Sequence, residues 1–279
     1  MLLLQKFAVD LAQKAGALLR EKFNHKHEIH YKGDINLVTE ADKLAEALII
    51  ETIRREFPDH GILSEESPAI GGGASMRWII DPLDGTTNYA HGYPVFCVSI
   101  ALEKEGSIML GVIYDPTRAD TFVAVRGEGV YLNNQKLAVS PTRDLTRSLL
   151  ATGFPYDIRE GKENNLNYFN AMAVEAQAIR RAGAAALDIA YVACGRFDGF
   201  WELKLMPWDM AAGCLMVEEA GGKITDIFGG KWNIASPNIL VSNGLIHEQM
   251  ISVFIRETPI PMRCAFGIGK LNNPAKRRS

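Results

Sequence analysis

The chain has 279 residues, 47% of them hydrophobic, which is enough for one large or two fused domains around a sizeable core. A formal net charge of −3 gives no general attraction to nucleic acid or anionic membrane. No apolar run approaches the ~20 residues of a membrane span, so a cytoplasmic location is expected.

The N-terminal Met1-Leu2-Leu3-Leu4 is soon interrupted by Lys6 and Asp10. Leu4, Phe7, Ala8, Leu11, Ala15 and Leu18 fit one helical face, so this segment reads as an amphipathic helix and not a targeting signal. His25, His27 and His30 follow in a charged stretch and read as solvated surface. Leu37-Val38-Thr39 then leads into a second helix, beginning near Glu40 and about 16 residues long. Ile62-Leu63-Ser64 reads as a short strand ending at Glu65-Glu66. Gly71-Gly72-Gly73 is a connection without the Lys and hydroxyl of a phosphate-binding Walker loop.

The most informative stretch is Trp78-Ile79-Ile80-Asp81-Pro82-Leu83-Asp84-Gly85-Thr86-Thr87-Asn88. A buried strand, Trp78 to Ile80, delivers Asp81 and Asp84 to its exit, where the chain is expected to turn. Pro82 disfavours a helical conformation at Asp81. Gly85-Thr86-Thr87 can open a helix whose free N–H groups face the same spot. Carboxylates beside backbone donors make a place for cations and an oxyanion together.

Residues 95–102, 108–114, 121–125 and 130–132 are rich in β-branched and aromatic residues and are separated by turn signals, which predicts an antiparallel meander. Beyond it, helical patterns at about 163–176, 184–193, 208–220 and 245–255 alternate with strand candidates at 148–151, 197–203, 223–226 and 238–242. The final stretch is basic, with Arg263, Lys270, Lys276, Arg277 and Arg278 and no acid. It reads as a frayed tail, or as a weak arm for an anionic partner. Cys97, Cys194, Cys214 and Cys264 form no C-x-x-C pair, which points to free thiols in a reducing compartment and away from a zinc site.

Taken singly, the remaining acids have ordinary explanations. Thr39-x-x-Asp42 resembles a capping box with Asp in place of Glu. With Pro207 first in its helix, Asp209 favours the positive end of the macrodipole. Glu65-Glu66 reads equally as a solvated loop. Together the acids read differently, because Ile62-Leu63 and Ile79-Ile80 deliver carboxylates to the mouth of a buried sheet. Two like charges about 4 Å apart repel by roughly 4 kcal/mol at an effective dielectric near 20. Converging carboxylates must therefore raise their pKa values or take up cations, and all-oxygen donors favour magnesium.

These residues carry a resemblance to the inositol monophosphatase family of lithium-sensitive, magnesium-dependent phosphatases. The family's Glu-Glu, D-P-[LI]-D-G-[ST] and W-D-x-A-A-G motifs stand here as Ser64-Glu65-Glu66-Ser67, Asp81-Pro82-Leu83-Asp84-Gly85-Thr86-Thr87 and Trp208-Asp209-Met210-Ala211-Ala212-Gly213. The similarity runs from about residue 1 to residue 256. It implies an α+β fold, a layered αβαβα sandwich with a large antiparallel sheet and a smaller mixed sheet. The expected organisation is one domain over 1–260, with an N-terminal half to about 145 and a C-terminal half beyond, followed by the basic tail 261–279.

By the resemblance, Glu65, Asp81 and the Leu83 carbonyl hold a first magnesium, and Asp81, Asp84 and Asp209 hold a second. Glu65 also reaches a third ion through water. Thr86, paired with Asp42, orients the attacking water. The N–H groups of Gly85 and Thr86 hold phosphate oxygens, with Asp84 and Asp209 beside the substrate. Gly183, Ala184 and Ala185 line the substrate, and Glu202 accepts hydrogen bonds from its hydroxyls. Many relatives carry Ser or Thr where this chain has Ala184, which removes a hydroxyl contact. Residues 31–36 correspond to a metal-linked loop, where Lys32 is either a phosphate contact or a solvated lysine.

The implied activity is hydrolysis of inositol 1-phosphate by in-line attack of a metal-activated water, in a homodimer. Related enzymes on the same scaffold act on fructose 1,6-bisphosphate, histidinol phosphate, nicotinamide dinucleotide phosphate or 3′-phosphoadenosine 5′-phosphate. Dual inositol-phosphate and fructose-bisphosphate activity is a further alternative. A binding role at the transcription machinery is an alternative of another class, and the acidic charge balance gives it no support.

Overall fold

The computed structural model describes residues 1–23, 29–31 and 37–258. His25, His27, the segment 32–36 with Lys32, Cys264 and the basic tail 261–279 lie outside the described residues. Helix α1 (Leu2–Lys22) buries Ala8, Leu11, Ala12, Ala15 and Leu19. Leu19 takes the buried place expected of Leu18, because it continues the four-residue step from Leu11 and Ala15. Strands β1 (Ile29–Tyr31) and β2 (Leu37–Thr39) pair with each other, and α2 (Glu40–Glu56) follows.

Strands β3 (Gly61–Ser64) and β4 (Met76–Asp84) precede the short helix α3 (Thr86–Ala90). Then β5 (Cys97–Lys104), β6 (Ser107–Asp115), β7 (Asp120–Val125), β8 (Gly129–Leu132) and β9 (Gln135–Lys136) form the meander. The result is a seven-stranded sheet in sequence order from β3 to β9, antiparallel except for the β3–β4 pair.

The second half contributes β10 (Leu149–Thr152), α4 (Leu166–Glu175), β11 (Ala178–Arg180), α5 (Ala185–Ala193) and β12 (Gly199–Glu202). It ends with α6 (Pro207–Glu219), β13 (Lys223–Thr225), β14 (Ile239–Ser242) and α7 (His247–Glu257). Its five strands form a mixed sheet in the order β11-β10-β12-β14-β13.

Period-two alternation explains the layering. Along β4, Trp78 and Ile80 face one apolar cluster with α1 and α2, while Ile79 faces another built around α5 and α6. A third cluster joins the far face of the five-stranded sheet to α4 and α7. The layers therefore run α1/α2, large sheet, α5/α6, small sheet, α4/α7, the αβαβα sandwich expected from the resemblance.

One local expectation is corrected. The strand does not end at Ile80; β4 runs on through both carboxylates to Asp84. Asp81 pairs with Ser99 and Asp84 with Cys97, so three steps on β4 oppose two on β5. Pro82 has no N–H to give the ladder, and the extra residue is accommodated as a β-bulge.

Candidate active site

A cavity of about 550 Å³ opens where β3, β4, β12 and the N-termini of α3, α5 and α6 meet. Glu65, Asp81, Leu83, Asp84, Gly85, Thr86, Gly183, Ala184, Ala185, Glu202 and Asp209 all line it, although they span more than half of the chain. Asp42 does not line it; it lies directly behind Thr86, almost fully buried.

The β4 bulge puts Asp81 and Asp84 on the same cavity. The Asp81 carboxylate accepts the Leu83 N–H at 3.0 Å, closing a local turn that sets its direction. Asp84 accepts the Ala185 and Ala186 N–H groups at 3.2 and 2.8 Å, so it faces the positive end of α5. The buried Cys97 thiol also points at Asp84, at 3.6 Å. Asp209, in the first turn of α6 behind Pro207, accepts the Met206 N–H at 2.7 Å.

Gly85 joins β4 to α3 with φ of 92°, and a Cβ there would come within 2.8 Å of the Val95 carbonyl. Only glycine meets both conditions. The next residue, Thr86, directs its hydroxyl to Asp42 and to the Leu83 carbonyl, each at 3.0 Å. Both readings of Asp42 apply at once. One carboxylate oxygen closes the capping box with the Thr39 N–H at 2.8 Å, and the other faces Thr86.

The electrostatics follow from burial. Asp81 is pushed well above the usual carboxylate range by desolvation, then by the negative charges of Glu65, Asp84 and Asp209. Burial raises Asp84 and Asp209 to about 7 and Glu202 to about 8. Asp42 rises to about 6 for the same reason, against the opposing hydrogen bonds from Thr39 and Thr86. A group of acids held this way favours either protons or cations.

As the side chains are oriented, no three His, Cys, Asp or Glu among the described residues stand in an arrangement that could hold a metal ion. Asp84 and Asp209 are turned toward backbone N–H groups. Each carboxylate oxygen keeps a second lone pair when it accepts one such bond, and rotation of an Asp carboxyl is broad. The donor chemistry, four carboxylates and a carbonyl on one cavity, fits a hard divalent cation.

Several residues escaped the sequence reading. Glu46, on the buried face of α2 one turn after Asp42, accepts hydrogen bonds from the Ser64 hydroxyl, the Glu66 N–H at 3.1 Å and the Ser67 hydroxyl at 2.6 Å. These three bonds clamp the turn that carries Glu65. Asn88 donates to the Val95 and Ala182 carbonyls at 2.8 and 2.9 Å, tying α3 to the segment before Gly183. Arg181 and Asp188 also line the cavity. An acid at a buried position among the apolar residues of a helix was the available signal for Glu46 and Asp188.

The chain matches the inositol monophosphatase family over residues 3–258. It is 44% identical over 248 residues to Escherichia coli K12 "Nus factor SuhB", covering 88% of this chain and 93% of that one. The structure of an inositol monophosphatase from Anabaena superposes with a TM-score of 0.82 at 44% identity, covering 93% of this chain and 99% of the other. An IMPase/NADP phosphatase complexed with Mg2+ and phosphate gives a TM-score of 0.79 at 26% identity, covering 90% and 94%. No described helix is long and apolar enough to cross a membrane. Over nearly its whole described length, the chain belongs to the inositol monophosphatase family.

Proposed function

We propose that the protein is a magnesium-dependent phosphomonoesterase whose substrate is inositol 1-phosphate. The observation that carries this reading is the meeting of Glu65, Asp81, Asp84 and Asp209 on one cavity beside the Thr86–Asp42 pair. Glu65, Asp81 and the Leu83 carbonyl would hold one ion, and Asp81, Asp84 and Asp209 a second. Bound magnesium supplies neutralisation of phosphoryl charge and lowers the pKa of water.

This chain's own groups do the positioning. Asp42 accepts the Thr86 hydroxyl proton, which leaves lone pairs on that oxygen to receive a hydrogen from the attacking water. The first N–H groups of a helix have no intrahelical acceptor, so those of Gly85 and Thr86 are available to phosphate oxygens. Gly183, Ala184 and Ala185 line the cavity and would face the substrate. Glu202, on the cavity wall at the end of β12, would accept hydrogen bonds from ring hydroxyls. Phosphoryl transfer needs such positioning and charge stabilisation more than covalent help.

The test is a panel of phosphate esters with magnesium, run with and without lithium. Inositol 1-phosphate should be hydrolysed fastest and lithium should inhibit. Comparable rates on every ester, fructose 1,6-bisphosphate included, would overturn the preference for inositol. A second reading, a binding role in transcription, draws on the similarity to proteins named Nus factor SuhB. Asp84→Asn separates the two, since a binding role should survive the substitution and hydrolysis should not.

A further inference from the structure

Among the described residues, two buried side-chain polar atoms lack a hydrogen-bond partner, Asp188 Oδ1 and Trp232 Nε1. Only Asp188 lines the cavity. It lies on α5, whose other residues, Ala185-Ala186-Leu187 and Ile189-Ala190-Tyr191-Val192-Ala193, are apolar or aromatic, and it is 1% exposed. A carboxyl in such a place lowers stability unless something pairs with it. The Arg181 charge acts on this carboxyl, but Oδ1 receives no hydrogen bond from the chain, so the acid calls for a donor or acceptor from outside it.

The groups that bear on Asp188 electrostatically are Glu202, Asp84 and Arg181. Glu202 is held in place from behind. Its carboxyl lies against Gly153, where any Cβ would overlap it. The Gly153 carbonyl accepts the Asn165 amide at 2.6 Å, and the Asn165 oxygen accepts the Trp201 indole N–H at 2.7 Å. Thr152 donates to the Trp201 carbonyl at 2.6 Å, which closes the support around the end of β12. Besides Asp157 and the acids proposed as metal ligands, two carboxyls line the cavity, Glu202 packed against Gly153 at the end of β12 and Asp188 with its Oδ1 unpaired.

We propose that Asp188 and Glu202 together bind hydroxyl groups on the non-phosphate part of the substrate, which makes Asp188 a specificity residue for polyol phosphates. The proposal rests on the phosphatase reading above and deepens it. A hydroxyl offers one donor and two acceptor lone pairs. Burial and the charges of Glu202 and Asp84 favour the protonated form of Asp188 while Arg181 opposes it; its oxygens accept hydrogen bonds in either form, and the protonated form also donates one. Rotation of an Asp carboxyl is broad and roughly two-fold, so either oxygen can turn to a ligand. A site built to pair with hydroxyls discriminates against an ester that lacks them.

The experiment compares wild type, Asp188→Leu and Asp188→Asn on inositol 1-phosphate and p-nitrophenyl phosphate with magnesium, and records melting temperatures without substrate. The expected result is at least a tenfold fall in the ratio of kcat/KM for the two esters in Asp188→Leu. Its melting temperature should be equal to or above that of wild type, with Asp188→Asn intermediate in the ratio. An unchanged ratio, or an equal loss on both esters with a lowered melting temperature, overturns the proposal. Should Asp188→Leu not fold, the ratio in Asp188→Asn decides. Should wild type hydrolyse neither ester, the phosphatase reading fails on its own. Calorimetric titration of inositol 1-phosphate then decides, with binding weaker in Asp188→Asn than in wild type supporting the site, and equal binding in both, or none in wild type, refuting it.

Discussion

The two sheets meet at one cavity but anchor their functional groups in different ways. On the large-sheet side, Asp81 and Asp84 belong to the β4–β5 ladder itself, and Glu65 follows β3 on a turn clamped by Glu46. On the small-sheet side, Glu202 packs against Gly153 beside a side-chain network that ties Gly153 and Trp201 through Asn165, and Asp188 has no partner for Oδ1. Groups fixed by backbone tolerate little adjustment, and groups fixed by side chains can be retuned by single substitutions. On the proposed reading, the first side carries the reaction and the second carries the choice of substrate.

Substitutions on the large-sheet side should affect every ester alike. Asp84→Asn should lower kcat by at least about 10³-fold, comparable with losing a principal electrostatic stabiliser of a transition state. Retained activity would break the contrast between the two sides. Thr86→Ala should slow turnover by roughly 10²-fold, the scale of lost proton-transfer assistance, with magnesium affinity unchanged. A matching loss of magnesium affinity would show that Thr86 supports the ligand set instead. Glu46→Gln weakens the clamp without emptying the site, so the magnesium concentration for half-maximal rate should rise by about tenfold. If the rate falls with no change in magnesium dependence, Glu46 does not position Glu65.

The smallest expected effect is on stability. Asp84, Asp209 and Glu202 have pKa values of about 7, 7 and 8 in the folded chain, above the usual carboxylate range because they are buried. Between about pH 4 and those values the folded chain binds more protons than the unfolded chain. The stability they confer is therefore present below about pH 4 and is lost as pH rises through 7 to 8. A divalent ion pairs with the ionised form, so magnesium should raise the melting temperature more at pH 8 than at pH 5. Equal shifts at both pH values would contradict this.

Much of this arrangement could be read before folding was considered. The apolar run into Asp81 and Asp84, and the Pro207-Trp208-Asp209 start of α6, are local patterns with local causes. The meander was readable from β-branched runs between turns. What escaped depends on distance along the chain. The bulge that keeps Asp84 in the sheet is set by pairing with β5, and Glu46 acquires its role only when α2 packs beside the turn after β3. The strand β11 is three residues long, too short for periodicity to register.

The most direct test of the central claim is phosphate release from inositol 1-phosphate by chelator-treated protein as magnesium is added back. The account predicts no hydrolysis without a divalent ion, saturable recovery with magnesium, and no recovery in Asp84→Asn. Hydrolysis that proceeds in the presence of chelator, or that Asp84→Asn recovers in full, would contradict it.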